Sequence, residues 1–218
     1  MEKKYEIVSL GCNCLPRTVL TRGGVKPSKK QGELSCPFDL VKHPIDCIIK
    51  YLNNDFDGYL DDLFFEVRKR NFLDFRKKGL WQKTDGTKFF HDKDCKISDR
   101  EKLETRIKNR INNFRQIIKS DTPILFVFLV VENAEKIEEL YKTLKRLCPH
   151  KKFSLAVIDL NYVMKSCPSD IHLLQLTEPI PKFDRNWNKN IYRNTKLGKY
   201  VEKNICCFVE NILKKDFC

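Results

Sequence analysis

Ile124–Val131 is an unbroken run of eight apolar residues, bounded by Pro123 and by Glu132-Asn133. A run that short and that rich in Val, Phe and Ile fits a strand whose sheet is covered on both faces. The rhythm continues downstream. Glu135–Leu147 sets Ile137, Leu140, Leu144 and Leu147 at helical spacing, and Phe153–Leu160 is a second apolar strand. Ile171–Leu176 is a third, and Gly198–Leu213 follows as a helix through Val201, Ile205, Phe208 and Ile212. Near the start, residues 5–10 read as another buried strand and 14–22 as a helix, which accepts Pro16 because it lies in the first turn. Gly23-Gly24 stops that helix. Strands alternating with helices need right-handed crossovers and yield a mainly parallel sheet. The expectation is one α/β domain over residues 1–218, a three-layer sandwich around a mainly parallel sheet of about five strands.

The segment between these halves is less regular. Lys26–Glu33 is a polar loop, Ser35-Cys36-Pro37-Phe38-Asp39 a compact turn-like block, and 44–53 a short helix with Ile45, Ile48, Ile49 and Leu52 on one face. Residues 55–96 are aromatic-rich but aperiodic, and read as an irregular insertion packed over the core. Ser98-Asp99-Arg100-Glu101 has the form of a capping box and opens the longest helix, with Leu103, Ile107, Ile111, Phe114 and Ile118 inward. Its other face carries Arg106, Lys108, Arg110 and Arg115, a pattern that is most often simply solvated.

The chain holds 42 Lys and Arg against 29 Asp and Glu, a net charge of +13, which permits attraction to nucleic acid, anionic lipid or acidic substrates. The clusters Lys26–Lys30, Arg68–Arg70 and Arg76–Lys78 are scattered and no nucleic-acid motif accompanies them, so nucleic acid is not an expected partner. No apolar run approaches the ~20 residues of a membrane span. Met-Glu-Lys-Lys leads into a strand and not a signal-type apolar region, so the expected location is the cytoplasm, with the ten cysteines as reduced thiols. Cys148, Cys206, Cys207 and Cys218 read as small hydrophobes. There is no Gly-x-Gly-x-x-Gly or Walker-type loop and no Gly-x-Ser-x-Gly elbow; no cofactor is expected, and Ser9 falls inside the first strand.

Gly11-Cys12-Asn13-Cys14 carries the strongest chemical signal. It places a thiol where a strand runs into a helix, and the unpaired N–H groups and dipole at a helix start favour a thiolate. A thiol nucleophile needs a basic partner and a group to orient it. Of the four histidines, His91 has the most site-like context, with Phe89-Phe90 before it and Asp92 after it; His43, His150 and His172 read as structural or solvated. Asp39 is a second candidate to orient His91. A zinc site from Cys12, Cys14, Cys36, His91 and Cys95 has enough ligands but lacks the usual Cys-x-x-Cys spacing, and no metal is expected.

Ser9-Leu10-Gly11-x-Asn13-Cys14, Ser35-x-Pro37-Phe38-Asp39 and Phe90-His91-Asp92, in that order and before an Arg-bearing helix, resemble a family of unknown function catalogued as papain-like cysteine peptidases. The resemblance covers about residues 5–120. It implies Cys14 as nucleophile, His91 as base and Asp39 or Asp92 as polar partner. Gly11, Asn13, Arg106 and Arg110 are then candidates for holding the substrate or its oxyanion, and the substrate is a peptide or another acyl compound. Leu40 stands where the family usually has Trp. Cys12 is an added thiol that could pair with Cys14 only under strain, or resolve an oxidised form of it. The family's label implies papain's α+β layout, whereas the strand–helix rhythm points to the α/β sandwich, with ligands at the carboxyl edge of its sheet. The rival functional reading is a non-enzymatic α/β module for an anionic ligand or a protein partner.

Overall fold

The computed structural model describes residues 4–68, 78–92, 94–130, 133–176 and 194–217. Four parallel strands form the main sheet: β1 (Glu6–Ser9), β4 (Ile124–Val130), β5 (Phe153–Asp159) and β6 (His172–Gln175), side by side in that order. Ile7 pairs with Leu125, Leu125 with Ser154, and Ala156 with His172. β2 (Phe64–Arg68) and β3 (Lys78–Gln82) form a separate antiparallel pair. Among the described residues the helices are α1 (Leu15–Arg22), α2 (Ile45–Asn53), α3 (Arg100–Lys119), α4 (Ile137–Leu147) and α5 (Lys196–Phe217). No helix among the described residues is long and apolar enough to cross a membrane.

Alternation along β4 explains the layers. Phe126, Phe128 and Val130 join the cluster that includes Ile48 of α2, Ile107 of α3 and Leu140 of α4. Leu125, Val127 and Leu129 point the other way, toward Val19 of α1 and Val201, Ile205 and Val209 of α5. Every residue of β4 is buried, so each apolar side chain there is worth about 1.5–3 kcal/mol relative to exposure. The result is a three-layer α/β sandwich and not papain's layout of a helical lobe and a barrel, with four strands in its main sheet among the described residues where about five were expected.

Where the structure departs from the sequence reading, local contacts supply the reason. The 55–96 segment is not wholly irregular, because Phe64 pairs with Gln82 and Phe65 with Trp81 across β2 and β3. A Cβ on Gly79 would fall within 2.0 Å of the Phe65 ring, so the glycine lets that ring lie flat over the ribbon. Phe72, Phe75 and residues 69–77, which hold most of two basic clusters, lie outside the described residues, as do Val131 and Cys218. Helix α3 starts at Arg100 without the Ser98–Glu101 box: the Lys96 N–H donates to Asp99 Oδ2 at 2.9 Å, closing a 3-10 turn over Ile97–Asp99 instead. The outer edge of β1 is covered by Lys26, whose buried ammonium donates to the Ile7 carbonyl and to Glu33.

Candidate active site

The loop after β1 is built by backbone demands. An added Cβ at Gly11 would sit 2.2 Å from the Asn13 carbonyl oxygen and 3.1 Å from that of Phe38. Only a residue without a side chain allows this reversal, and the same approach docks the loop on the Pro-Phe-Asp block. Asn13 Oδ1 accepts the Leu15 N–H at 2.8 Å, satisfying one of the orphan donors at the start of α1. Cys14 is the N-cap residue, and its carbonyl accepts both the Thr18 N–H (3.0 Å) and the Thr18 hydroxyl (2.7 Å). Cys14 is half-buried, while Cys12, Cys36 and Cys95 are buried. Burial pushes the Cys36 thiol well above its ordinary range, with Asp39 and Glu33 adding to the effect.

The 36–39 turn carries Asp39, which is 1% exposed. Its Oδ2 accepts the Cys36 N–H at 2.8 Å, while Oδ1 is buried without a hydrogen-bond partner. Burial raises its carboxyl to about 6, against the pull of Arg17, the Cys36 N–H and Arg110. Arg17, in the first turn of α1, is itself buried, with Nη1 3.8 Å from Glu33 Oε1. Its place beside Asp39 could not be read from sequence, since a lone Arg in a short helix looks like any solvated one.

His91 occupies the exposed tip of a turn whose two sides are fixed. On one side the buried Phe89 donates its N–H to the Trp81 carbonyl (2.9 Å). On the other the Asp92 carbonyl accepts the Cys95 N–H (3.0 Å), and the Cys95 carbonyl accepts Trp81 Nε1–H (3.0 Å). The Asp92 side chain is fully buried and points at α3. Arg110 donates to both of its oxygens, at 3.0 and 2.8 Å, and Arg106 to Oδ1 at 2.8 Å. Arg106 also forks onto Asp94, at 2.8 and 2.7 Å, which pulls the Asp94 carboxyl below its ordinary range.

Helix α3 therefore ties the motif blocks together. Arg106, Arg110 and Asn113 lie on one stripe at i, i+4 and i+7, and the Asn113 amide donates to the Ser35 carbonyl at 3.0 Å. That stripe is the signal that distinguishes a docking face from a solvated one. Leu10, Cys12, Cys36, Phe38, Phe89 and Cys95 share one contiguous buried cluster. The β1 loop thus meets the Asp39 turn through Gly11 and the Phe38 carbonyl, and α3 holds both Ser35 and the turn that carries His91, with Arg106 and Arg110 engaged by carboxylates.

Of the other histidines, His43 packs its ring edge-on against Phe38 of the 36–39 turn, with centroids 5.1 Å apart, while His172 and His150 lie elsewhere. His43 is buried, with Nε2 2.7 Å from the Tyr59 hydroxyl, and burial lowers it to about 3. His172 pairs with Asp216 at 2.8 Å, and His150 is exposed. Among the described residues, no three His, Cys, Asp or Glu side chains converge as metal ligands. A cleft of about 600 Å³ runs between the 54–61 loop and Lys108, Ile111, Asn112 and Arg115, and Cys14 and His91 are not among its lining residues. No curated protein and no solved structure matches the chain. The loop, turn and helix just described all fall within residues 5–167, which match the family model described as "Putative papain-like cysteine peptidase (DUF1796)", and the chain belongs to that family.

Proposed function

We propose that the protein is a thiol hydrolase or acyl-transferase acting through Cys14. The observation that carries this reading is the position of Cys14. It is the N-cap residue of α1, at the carboxyl end of β1, and is half-buried where the neighbouring cysteines are buried. The dipole of α1 there favours negative charge on a developing oxyanion.

In the proposed sequence His91 takes the Cys14 proton and Sγ attacks the acyl carbonyl. Backbone N–H groups of the Gly11–Cys14 loop hold the oxyanion. His91 returns the proton to the leaving group as the acyl–Sγ bond is completed. A water or an acceptor nucleophile, deprotonated by His91, then releases the acyl group. Asp39 serves as the polar partner beneath the site. Asp92 and Arg110 act by holding the turn that presents His91, and Arg106, partly exposed, keeps a face toward substrate. The family's description points to an amide or peptide bond, and the same chemistry serves an ester or thioester.

Alkylation by iodoacetamide, mapped by peptide mass, tests this directly. Cys14 should label about tenfold faster than the exposed Cys207 at neutral pH. His91→Asn should remove most of that advantage and flatten its pH dependence. A Cys14 rate equal to that of Cys207, unmoved by His91→Asn, would sink the hydrolase reading and leave the anionic-ligand module.

A further inference from the structure

We infer that Cys12 and Cys14 form a site of reversible oxidation by hydroperoxides, closing to a disulfide that shields the reactive thiol. The inference rests on the reading of Cys14 as a reactive thiolate. Cys12 takes no part in the proposed hydrolysis, yet it sits two residues from the nucleophile in the same loop. Residues 12–14 are a succession of bends, and Gly11 folds back onto the Asn13 carbonyl. In a backbone bent that tightly, Cα atoms two residues apart lie roughly 5.4 Å from each other, within the roughly 4.4–6.8 Å that disulfides span. An extended strand end would hold them at roughly 6.4–6.8 Å, the far limit of that range.

The exposures differ in the sense the chemistry requires. Cys14 is half-buried and open to a small oxidant, and Cys12 is 8% exposed and shielded from it. Cys14 thiolate attacks one oxygen of the hydroperoxide, the O–O bond breaks, and the second oxygen leaves as water or an alcohol after taking up the proton that the Cys14 thiol gave to His91. Cys14 is then a sulfenic acid. Cys12 sulfur attacks Cys14 sulfur, the S–O bond breaks, and hydroxide departs with the Cys12 proton as water. The two thiols lose two electrons in all, which reduce the O–O bond. The small ring is strained, and strained disulfides are the readily reduced ones, so a dithiol should reopen it.

The peptide Tyr5–Arg17, released by trypsin, contains Cys12 and Cys14 and no other cysteine. After a modest dose of hydrogen peroxide and blocking with iodoacetamide, this peptide should carry no alkyl group and be lighter by two hydrogens. Dithiothreitol should restore alkylation at both positions. In Cys12→Ser, and independently in Cys12→Ala, the same dose should leave Cys14 with two or three added oxygens that dithiothreitol does not remove. Two added oxygens at Cys14 in the unmodified sequence, with no cyclic disulfide, would overturn the inference, as would a cross-link from Cys14 to Cys36. The iodoacetamide rate of Cys14 without peroxide is read from the same digest. A slow Cys14 therefore defeats the hydrolase reading separately from the presence or absence of the disulfide.

Discussion

Replacing Arg110 by Met should cost more stability than replacing Arg106 by Met, although both bind Asp92. The Asp92 side chain is 0% exposed, and the side chains of Arg110 and Arg106 are 11% and 30% exposed. Met retains most of the apolar stem, so the comparison isolates the charge. Arg110→Met removes two charge-assisted hydrogen bonds and leaves a buried carboxylate with one partner. Breaking a buried pair from one side costs about 3–5 kcal/mol, and the surviving Arg106 bond sets the expectation at the low end, about 3 kcal/mol. Arg106→Met loses one bond to Asp92 and a pair to Asp94, whose side chain is 54% exposed. Asp92 keeps both Arg110 bonds, which sets its loss at the low end, about 1.5 kcal/mol, and an exposed pair adds at most about 1 kcal/mol, so the sum is about 1.5–2.5 kcal/mol. In the double variant Arg110→Met/Asp92→Leu the unpaired carboxylate is gone, and about half of the loss should return. Urea unfolding followed by circular dichroism reads these values: with a slope of about 2–3 kcal/mol/M, Arg110→Met moves the midpoint by about 1–1.5 M. An Arg106→Met loss as large as that of Arg110→Met, or a double variant no better than the single, would refute the claim that burial of Asp92 sets the energy.

Two more outcomes follow from the same region. Burial holds His43 neutral down to about pH 3 while the unfolded chain protonates below 6.5, so its contribution is lost as pH falls below 6.5; Asp39, raised to about 6, contributes below 3.8 and loses that as pH rises through 6. The two linkages oppose each other at ~1.4 kcal/mol per pH unit between about pH 4 and 6, so Asp39→Asn should unmask the His43 slope there, and a variant-minus-parent stability difference that is flat with pH would contradict it. Gly11→Ala forces a Cβ to 2.2 Å from the Asn13 carbonyl and should cost about 2–4 kcal/mol, lowering the calorimetric Tm by about 6–12 °C; an unchanged Tm would show that the loop can yield.

The parts of the fold that were legible are those with a local cause. β4, β5 and β6 begin and end within one or two residues of the apolar runs: β4, buried on both faces, must be apolar throughout, and the half-buried β6 still carries Leu173 and Leu174 between His172 and Gln175. The β2–β3 ribbon was not legible: Phe65-Glu66-Val67-Arg68 alternates, but its partner Lys78-Gly79-Leu80-Trp81-Gln82 does not, and what settles the pairing is the Phe65 ring lying over Gly79 from the other strand. The α3 start shifted because Asp99 accepts the Lys96 N–H, a competitor that the Ser98–Glu101 spacing does not reveal.

At the site the division is similar. Cys14 at the junction of a strand and a helix is a local fact, written in Gly11, Asn13 and Pro16. The sequence alone also determined that an α/β sandwich would present that junction at the carboxyl edge of a parallel sheet. Only the tertiary structure decided which charges are withdrawn from water. Lys26 is buried on the Ile7 carbonyl and Glu33, and Lys83 is buried on Tyr51 and the Gly58 and Tyr59 carbonyls. Arg110, part of a stripe that reads as solvated, closes on Asp92. Periodicity and capping are energies between neighbours in the chain. The energy of a buried charge depends on partners brought from many residues away, and those partners exist only once the layers have packed.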